Sequence, residues 1–257
     1  MEETNSSPAE VSMLWTVPYS RNPHFTGRDD LLDQIAQYFS DEKLDELRRV
    51  ALIQTQAIKG LGGIGKTQIA VEYAYRDRGA GHSMHTLWIN AASEEAILSS
   101  FVAIAELIPA FTTKDEKDQS KLAATIKRWM EECQQHWLLI FDNADDISLI
   151  QEYLPQRGNG NLLLTTRANA VSSLATALEV EKMGVMEGTY FLLHRVQRLS
   201  ATDEESNEAA NVVIALDGFP LALDQAGAYI EETGCSFGDY LQIYQAHRKS
   251  KKWHQIH

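Results

Sequence analysis

The stretch that decides the fold is Gly60-Leu61-Gly62-Gly63-Ile64-Gly65-Lys66-Thr67, which fits the phosphate-binding pattern G-x-x-x-x-G-K-[ST] throughout. Glycines let the backbone curl so that successive N–H groups point inward at phosphate oxygens, in conformations that a Cβ would resist. Lys66 can reach the outer phosphates as a point charge, and the Thr67 hydroxyl is placed to coordinate Mg²⁺. The stretch predicts a nucleotide phosphate site; the alternative is a glycine-rich turn that matches the pattern by chance.

An apolar run precedes this loop and a helical pattern follows it. Residues 50–53 and 57–58 are apolar and suit a buried parallel strand. From Gln68 to Tyr75, apolar pairs return every four residues, which predicts a helix. A helix that begins directly after a strand and a glycine loop favours an anion, because its free amides and its dipole are positive there. The flanks therefore support the phosphate site.

Two later strands end in residues that suit the same site. Five apolar residues from Trp137 end at Asp142, the form of the second phosphate-loop NTPase motif, in which a buried strand delivers an aspartate to Mg²⁺. The alternative is a buried strand that ends in a turn-forming Asp. The strand 161–166 is followed by Arg167, at the edge where open α/β sheets bind ligands. The alternative for Arg167 is a surface arginine that pairs with a carboxylate.

The order of strand and helix patterns predicts an α/β fold, with a parallel, roughly five-stranded sheet sandwiched by helices and followed by a small all-α helical domain. Residues 86–90 predict a second strand, and residues 178–181 an edge strand. Beyond residue 186, helical patterns replace the alternation. The predicted organisation is a flexible N-terminal arm (1–21), a P-loop NTPase domain (22–185) and a helical subdomain (186–257).

Composition restricts the function classes. The net charge of −13 argues against a general affinity for nucleic acid, whose phosphates demand a basic face. No run approaches the roughly 18 apolar residues of a membrane span, and no secretory signal is visible, so we expect no membrane partner. Two distant cysteines indicate reduced thiols and a cytoplasmic setting. His82 and His85 flank a turn without a nearby cysteine or acid, and we expect them to be exposed to solvent.

With these pieces in order, the chain resembles the NB-ARC branch of the STAND class of signal-transducing P-loop NTPases over about residues 22–247. The glycine loop and the strand that ends at Asp142 resemble its Walker A and Walker B motifs. Phe25-Thr26-Gly27-Arg28 resembles its N-terminal signature, which in the family lies against the adenine. Thr165-Thr166-Arg167 resembles its sensor arginine, expected near the γ-phosphate.

The segment Gly218-Phe219-Pro220-Leu221-Ala222 resembles the family's GLPLA box, in which the proline packs on the adenine from the helical domain. Without the resemblance, it predicts only a helix that starts at a proline. The resemblance implies nucleotide contacts from Phe25, Arg28, Gly60, Gly62, Gly63, Ile64, Gly65, Lys66, Thr67, Gln68 and Pro220. It also implies Mg²⁺ held by Thr67 and Asp142, and catalytic roles for Lys66, Asp142, Asp145 and Arg167.

Two departures from the family pattern affect the expected activity. Many members carry a second acid after the Mg²⁺ aspartate, but Asn143 occupies that position here. Asparagine cannot accept a proton, so either Asp145 or Asp146 substitutes or hydrolysis is slow. The chain also stops after the first helical subdomain, which suggests a fragment or shortened relative without winged-helix and repeat regions.

The resemblance implies an ATP- or ADP-binding, Mg²⁺-dependent switch module of NLR type, cytoplasmic and acting in signal transduction and innate immunity. Such a module has weak ATPase activity at most and could self-associate or bind protein partners. The alternative is a stand-alone P-loop ATPase or small-molecule kinase with a helical lid, although no acceptor pocket is evident from the sequence. A third possibility, an ATP-dependent nucleic-acid remodeller, is opposed by the acidic charge.

Overall fold

The computed structural model describes residues 12–40, 47–54, 62–109, 111, 118–168 and 171–254, with side chains up to residue 248. In this part of the chain, the elements are α1 (Asp29–Ser40), β1 (Arg48–Ile53), α2 (Lys66–Ala80), β2 (His85–Asn90), α3 (Glu94–Glu106), α4 (Gln119–Glu132), β3 (Trp137–Asp142), α5 (Ile147–Tyr153), β4 (Gly160–Thr165), β5 (Thr176–Glu179), α6 (Val185–Arg195), α7 (Asp203–Ala215), α8 (Pro220–Thr233) and α9 (Phe237–His254). They divide into two compact units. The first contains Met1–Arg21, Asp30–Gln56 and Lys66–Glu179, and the second contains Asn22–Asp29, Ala57–Gly65 and Val180–His257.

The first unit is built on a five-stranded sheet in the order β2-β3-β4-β1-β5. All four strand pairings are parallel, with Leu52 opposite Thr165 where β1 meets β4. The predicted α/β fold with a parallel, five-stranded sheet is thus confirmed. Because parallel strands share one direction, the ends of β3 and β4, at Asp142 and Thr165, lie along the same edge of the sheet.

Helices cover the two faces of this sheet. Alternate strand residues, including Ala51, Leu87, Leu139 and Leu162, join one core cluster with apolar side chains of α3, α4 and α5. Their neighbours along each strand point to the opposite face, because side chains alternate in a strand. Helix α2 contacts β3 and β4 but contributes nothing to that cluster, which places it on the opposite face.

Residues 12–21 differ from the flexible arm that the sequence predicts. Trp15 forms a parallel bridge with Thr86 of β2, and the Thr16 N–H donates to the Thr86 carbonyl over 3.0 Å. Leu14 is only 3% exposed, and Arg21 pairs with Glu72 of α2 through two hydrogen bonds. The physical reason is that β2 lies at an edge of the sheet, whose free N–H and C=O groups accept a further extended segment. We call residues 12–21 the N-terminal segment below.

The second unit packs α6 to α9 around a core of their apolar side chains, which also includes Met183. The sequence places a domain boundary between residues 185 and 186, whereas the compact units divide between Glu179 and Val180. The link before α6 joins the second unit because the Met183 N–H donates to the Gly218 carbonyl over 2.9 Å. No helix in the described ranges is long and apolar enough to cross a membrane.

Candidate functional site

Thr67 and Asp142 meet at the carboxyl edge of the sheet. Helix α2 begins at Lys66, so Thr67 lies in its first turn, while β3 ends at Asp142. The Thr67 hydroxyl donates to Asp142 Oδ1 over 2.8 Å, and the Thr165 hydroxyl donates to the same oxygen over 2.6 Å. Asp142 is only 2% exposed. The sequence reasoning missed Thr165, although a hydroxyl at the end of the neighbouring buried strand is a usable signal.

This pair of side chains fits a Mg²⁺ ion. Magnesium prefers hard oxygen ligands and is usually held by one or two protein groups together with water and phosphate oxygens. Thr67 Oγ1 and Asp142 Oδ1 are two such oxygens within 2.8 Å of each other. The chemistry of these donors therefore suits the metal that the sequence motif implies.

Lys66 lies among the other charged residues of the first unit. Burial lowers the pKa of Lys66, the negative charges of Asp145 and Asp142 act to raise it, and the positive charge of Arg167 lowers it further. The structure thus brings together the four predicted catalytic residues, Lys66, Asp142, Asp145 and Arg167. Two cations and two carboxylates interact at one edge of the sheet.

Asp145 binds Arg167 through both of its carboxylate oxygens. Oδ1 accepts the Arg167 main-chain N–H over 2.7 Å and the Thr166 hydroxyl over 3.4 Å. Oδ2 accepts Arg167 Nε over 2.7 Å and also contacts Nη2. Burial acts to raise the pKa of Asp145, but the hydrogen bonds from Arg167 outweigh it and hold the pKa below its usual value. In this arrangement Asp145 is an ionised carboxylate whose oxygens both accept hydrogen bonds, and its low pKa makes it a weak general base.

Asn143 and Asp146, the other polar residues of this stretch, each form a hydrogen bond near the end of β3 or the start of α5. Asn143 has a left-handed backbone with φ of 61°, and its N–H donates to Thr165 Oγ1 over 3.0 Å. Its side-chain nitrogen lies 3.5 Å from Asp142 Oδ2, a long contact. Asp146 caps α5, because its side chain accepts the Leu149 N–H over 3.1 Å.

The phosphate loop is divided between the two units. Its described glycines and Ile64 belong to the second unit, whereas Lys66, Thr67 and the exposed Gln68 belong to the first. Gly60 lies outside the described residues.

Gly63 and Gly65 have positive φ of 105° and 98°, which supports the prediction that this loop needs glycine. The Gly63 carbonyl accepts the Leu221 N–H over 3.2 Å. A Cβ on Gly63 would lie 2.8 Å from Leu221 Cδ2, so this glycine also permits the close approach of the loop to the start of α8.

The predicted adenine residues Phe25, Arg28 and Pro220 all belong to the second unit. Arg28 has φ of 64°; its Nη2 donates to the Glu181 carbonyl over 2.7 Å and its Nε lies 3.3 Å from a Glu187 carboxylate oxygen. Burial lowers the pKa of Arg28, and the charge of Glu187 opposes that shift. Pro220 is the first residue of α8, and Phe25 is half-buried. The side chain of Arg28 thus bonds to Glu181 and Glu187, which belong to the same unit.

A cavity of about 740 Å³ lies at the opposite, amino edge of the sheet. Its lining includes Arg49, Arg157 and Thr176 and contains none of the predicted site residues.

Comparison with known proteins supports the same reading of the chain. The NB-ARC domain model matches residues 32–193. A nucleotide-binding leucine-rich repeat (NLR)-like protein of Hyaloscypha variabilis is 28% identical over 254 residues, which cover 90% of this chain and 25% of the relative. The regulatory protein AfsR of Streptomyces griseus is 26% identical over 216 residues, which cover 78% of this chain and 20% of that protein. This chain therefore spans a quarter or less of these curated relatives.

Among solved structures, the ADP form of the Aeropyrum pernix ORC2 protein has a TM-score of 0.57 at 15% identity, covering 88% of this chain and 70% of that one. At this identity the likeness shows the fold alone. The family model covers more than half of the chain and includes Lys66, Asp142 and Arg167. This chain belongs to the NB-ARC family and forms a nucleotide-binding module of the P-loop NTPase fold.

Proposed function

We propose that this chain binds ATP and ADP with Mg²⁺ and acts as a nucleotide-controlled switch. The observation that carries the proposal is the 2.8 Å hydrogen bond between Thr67 and Asp142. It joins the residue after the phosphate-loop lysine to the acid that ends a neighbouring buried strand. Both motifs are thereby brought to one point, as a metal–phosphate site requires.

In this proposal the phosphate loop and the residues around Asp142 bind the phosphates. Lys66 and Arg167 supply positive charge, while Thr67 and Asp142 hold Mg²⁺, which neutralises charge on the phosphate oxygens when it is bound. The N–H groups at the start of α2 add donors, because the first amides of a helix lack intrahelical partners.

Phe25 and Pro220 bind the adenine in this proposal. The base is largely apolar, so a flat proline ring and an aromatic side chain suit its faces. Pro220 and Phe25 are the candidates, and Arg28 shapes this region through its bonds to Glu181 and Glu187. The ADP form of the ORC2 protein of Aeropyrum pernix supports the choice of an adenine nucleotide.

Hydrolysis should be slow. Asn143, which follows Asp142 directly, cannot take a proton from water and so cannot be a general base. A bound nucleotide would then persist, as a switch requires. The longer NLR-like relative supports a role as one module of a larger protein. We propose that this protein signals in the cytoplasm and in innate immunity, with self-association or protein partners as the output.

The test is calorimetric titration of the purified chain with ATP and ADP, in Mg²⁺ and in EDTA. Lys66→Ala removes a charge-assisted contact and should weaken both nucleotides about tenfold to a hundredfold. Lys121→Ala is the matched control, because Lys121 is exposed on α4 and pairs with Asp118. Equal affinities in the Lys66 and Lys121 variants, or no binding by the parent protein, would overturn the proposal.

A turnover assay separates the switch from the alternative enzyme. We expect ATP hydrolysis far below the roughly 10 s⁻¹ typical of enzymes. Asp142→Ala serves as the inactive control. Rapid hydrolysis, or multiple turnover on a small phosphate acceptor, would favour the stand-alone ATPase or kinase instead.

A further inference from the structure

The Asp145–Arg167 pair contains two kinds of bond. Oδ1 is bound by the Arg167 main-chain N–H and the Thr166 hydroxyl, which belong to the backbone path that follows β4. Oδ2 is bound by the Arg167 guanidinium, through Nε and Nη2. The guanidinium could leave Oδ2 while Oδ1 still anchors the turn.

Asp145 also influences the phosphate-loop lysine. Among the charges that act on Lys66, that of Asp145 is the strongest, ahead of Arg167 and Asp142. Lys66 and Arg167 are cations that repel each other, and Asp145 attracts both. One carboxylate thus acts on both cations, and a phosphate would be attracted by the same two cations.

The ion pair is exposed enough to exchange. The side chains of Arg167 and Asp145 retain 62% and 33% of their exposure, and ion pairs at such sites are weak. A terminal phosphate carries more charge than a carboxylate and matches the guanidinium with two parallel hydrogen bonds. It could therefore compete successfully with Oδ2 for Arg167.

We propose that Asp145 is the resident counter-ion of Arg167 and competes with the terminal phosphate of a nucleoside triphosphate for it. Asp145 then lowers the preference of the site for triphosphate over diphosphate. This role rests on the proposed nucleotide binding and replaces the expectation that Asp145 is a catalytic base. It makes Asp145 a specificity-determining residue, which acts through Arg167.

The test is Asp145→Asn, which removes the negative charge and keeps an oxygen that can accept the Arg167 N–H. The affinity for ATP should rise about threefold to fivefold relative to that for ADP, the range of a weak ion pair. Asp146→Asn is the matched control: it removes the same charge one residue away, while asparagine still caps α5. Its ATP-to-ADP ratio should stay within about twofold of the parent value.

Arg167→Ala supplies the second arm. It should weaken the binding of ATP more than that of ADP. When Asp145→Asn is added to Arg167→Ala, the ratio of ATP affinity to ADP affinity should change little. If Asp145→Asn does not fold, as judged by circular dichroism, Asp145→Ser, which also removes the negative charge, takes its place, and an unchanged ratio of ATP to ADP affinity in that variant would refute the competition.

The competition is also refuted if Asp145→Asn leaves the ratio unchanged or lowers it in a parent protein that binds both nucleotides. It fails as well if the Asp145 effect persists without Arg167. Failure of the underlying function looks different, because the parent protein would then bind neither nucleotide.

Discussion

The Thr67 hydroxyl donates to Asp142 Oδ1 over 2.8 Å, although the two residues are 75 positions apart in the chain. A hydroxyl and a carboxylate that share one point provide two of the oxygens that a Mg²⁺ ion needs. In the proposed metal site, helix α2 would supply one ligand of the ion and the buried strand β3 the second.

Thr67→Val should remove the metal ligand while keeping the shape of the side chain. We expect the affinity for ADP in Mg²⁺ to fall about tenfold, the effect of losing one charge-assisted contact, and the affinity in EDTA to change little. The measurement is titration calorimetry in both conditions. Thr125→Val is the control, because Thr125 is exposed on α4 and its hydroxyl donates to the Lys121 carbonyl of the same helix. A Thr67 variant that keeps its full response to Mg²⁺ would contradict the metal assignment.

Local patterns in the sequence predicted the strands and helices that build this fold. The apolar runs before Asp142 and Arg167 became β3 and β4, and the periodic pattern from Pro220 to Thr233 became α8. Runs of this kind are informative because burial on both faces of a parallel strand leaves few polar residues. The start of the helical region was less certain, since α6 begins at Val185, before the predicted boundary at residue 186.

Pairings between distant residues could not be predicted in this way. The sequence suggested two alternatives for Arg167, a ligand contact or a pair with a carboxylate, and nothing local identified Asp145 as its partner. His85 was expected to be exposed but is fully buried, because the N-terminal segment covers it. A segment of a few residues carries too little periodicity to reveal that it lies beside a sheet edge.

Gly218→Ala should strongly destabilise the second unit. Gly218 has φ of +63°, and a Cβ there would lie 2.1 Å from the Met183 carbonyl oxygen. Left-handed strain and the steric clash together should cost about 2–4 kcal/mol, measured by urea unfolding. Gly184→Ala is the control, because a Cβ at Gly184 meets nothing within 4 Å. Similar stabilities for the two variants would show that the Gly218–Met183 contact is not tight.

His85 should make the anchoring of the N-terminal segment depend on pH. Its Nδ1 accepts the Leu14 N–H over 3.2 Å, which requires the neutral ring, and its Nε2 lies 2.8 Å from Gln135 Oε1. Burial lowers the pKa of His85. The folded protein therefore binds a proton at His85 less readily than the unfolded chain does. The contribution of His85 to the stability of the folded protein is thus present at neutral pH and is lost as the pH falls through and below about 6.5.

Hydrogen exchange measured by mass spectrometry on residues 12–18 tests this expectation. After correction for intrinsic rates, protection should fall between pH 7.5 and pH 5.5, and His85→Gln, which retains an acceptor, should flatten that change. Burial lowers the pKa of His136 too and raises that of Asp77, and these shifts act in opposite directions on stability. Both of these groups also titrate in a control variant, His247→Gln, so the difference between the two variants isolates the effect of His85. His247 is an exposed histidine of α9. An equal pH response in the His85 and His247 variants would exclude His85 as the cause.

Pro220 should contribute to the affinity for adenine and not to that for phosphate. Its ring has a flat apolar face and a fixed φ that suits the first turn of α8. Pro220→Ala removes the ring and retains a good helix former, so the expected loss is about 1 kcal/mol of apolar contact, or roughly fivefold in affinity for ATP and ADP. Inorganic triphosphate carries no base and should bind as it does to the parent protein.

The opposite signature is expected of Lys66→Ala, which should weaken inorganic triphosphate together with both nucleotides. Competition of each ligand against a fluorescent nucleotide measures all three affinities in one assay. If Pro220→Ala weakens triphosphate as much as ATP, its effect is on folding rather than on the base. If it weakens none of the three, Pro220 makes no contact with adenine, and the proposed adenine contact would then depend on Phe25.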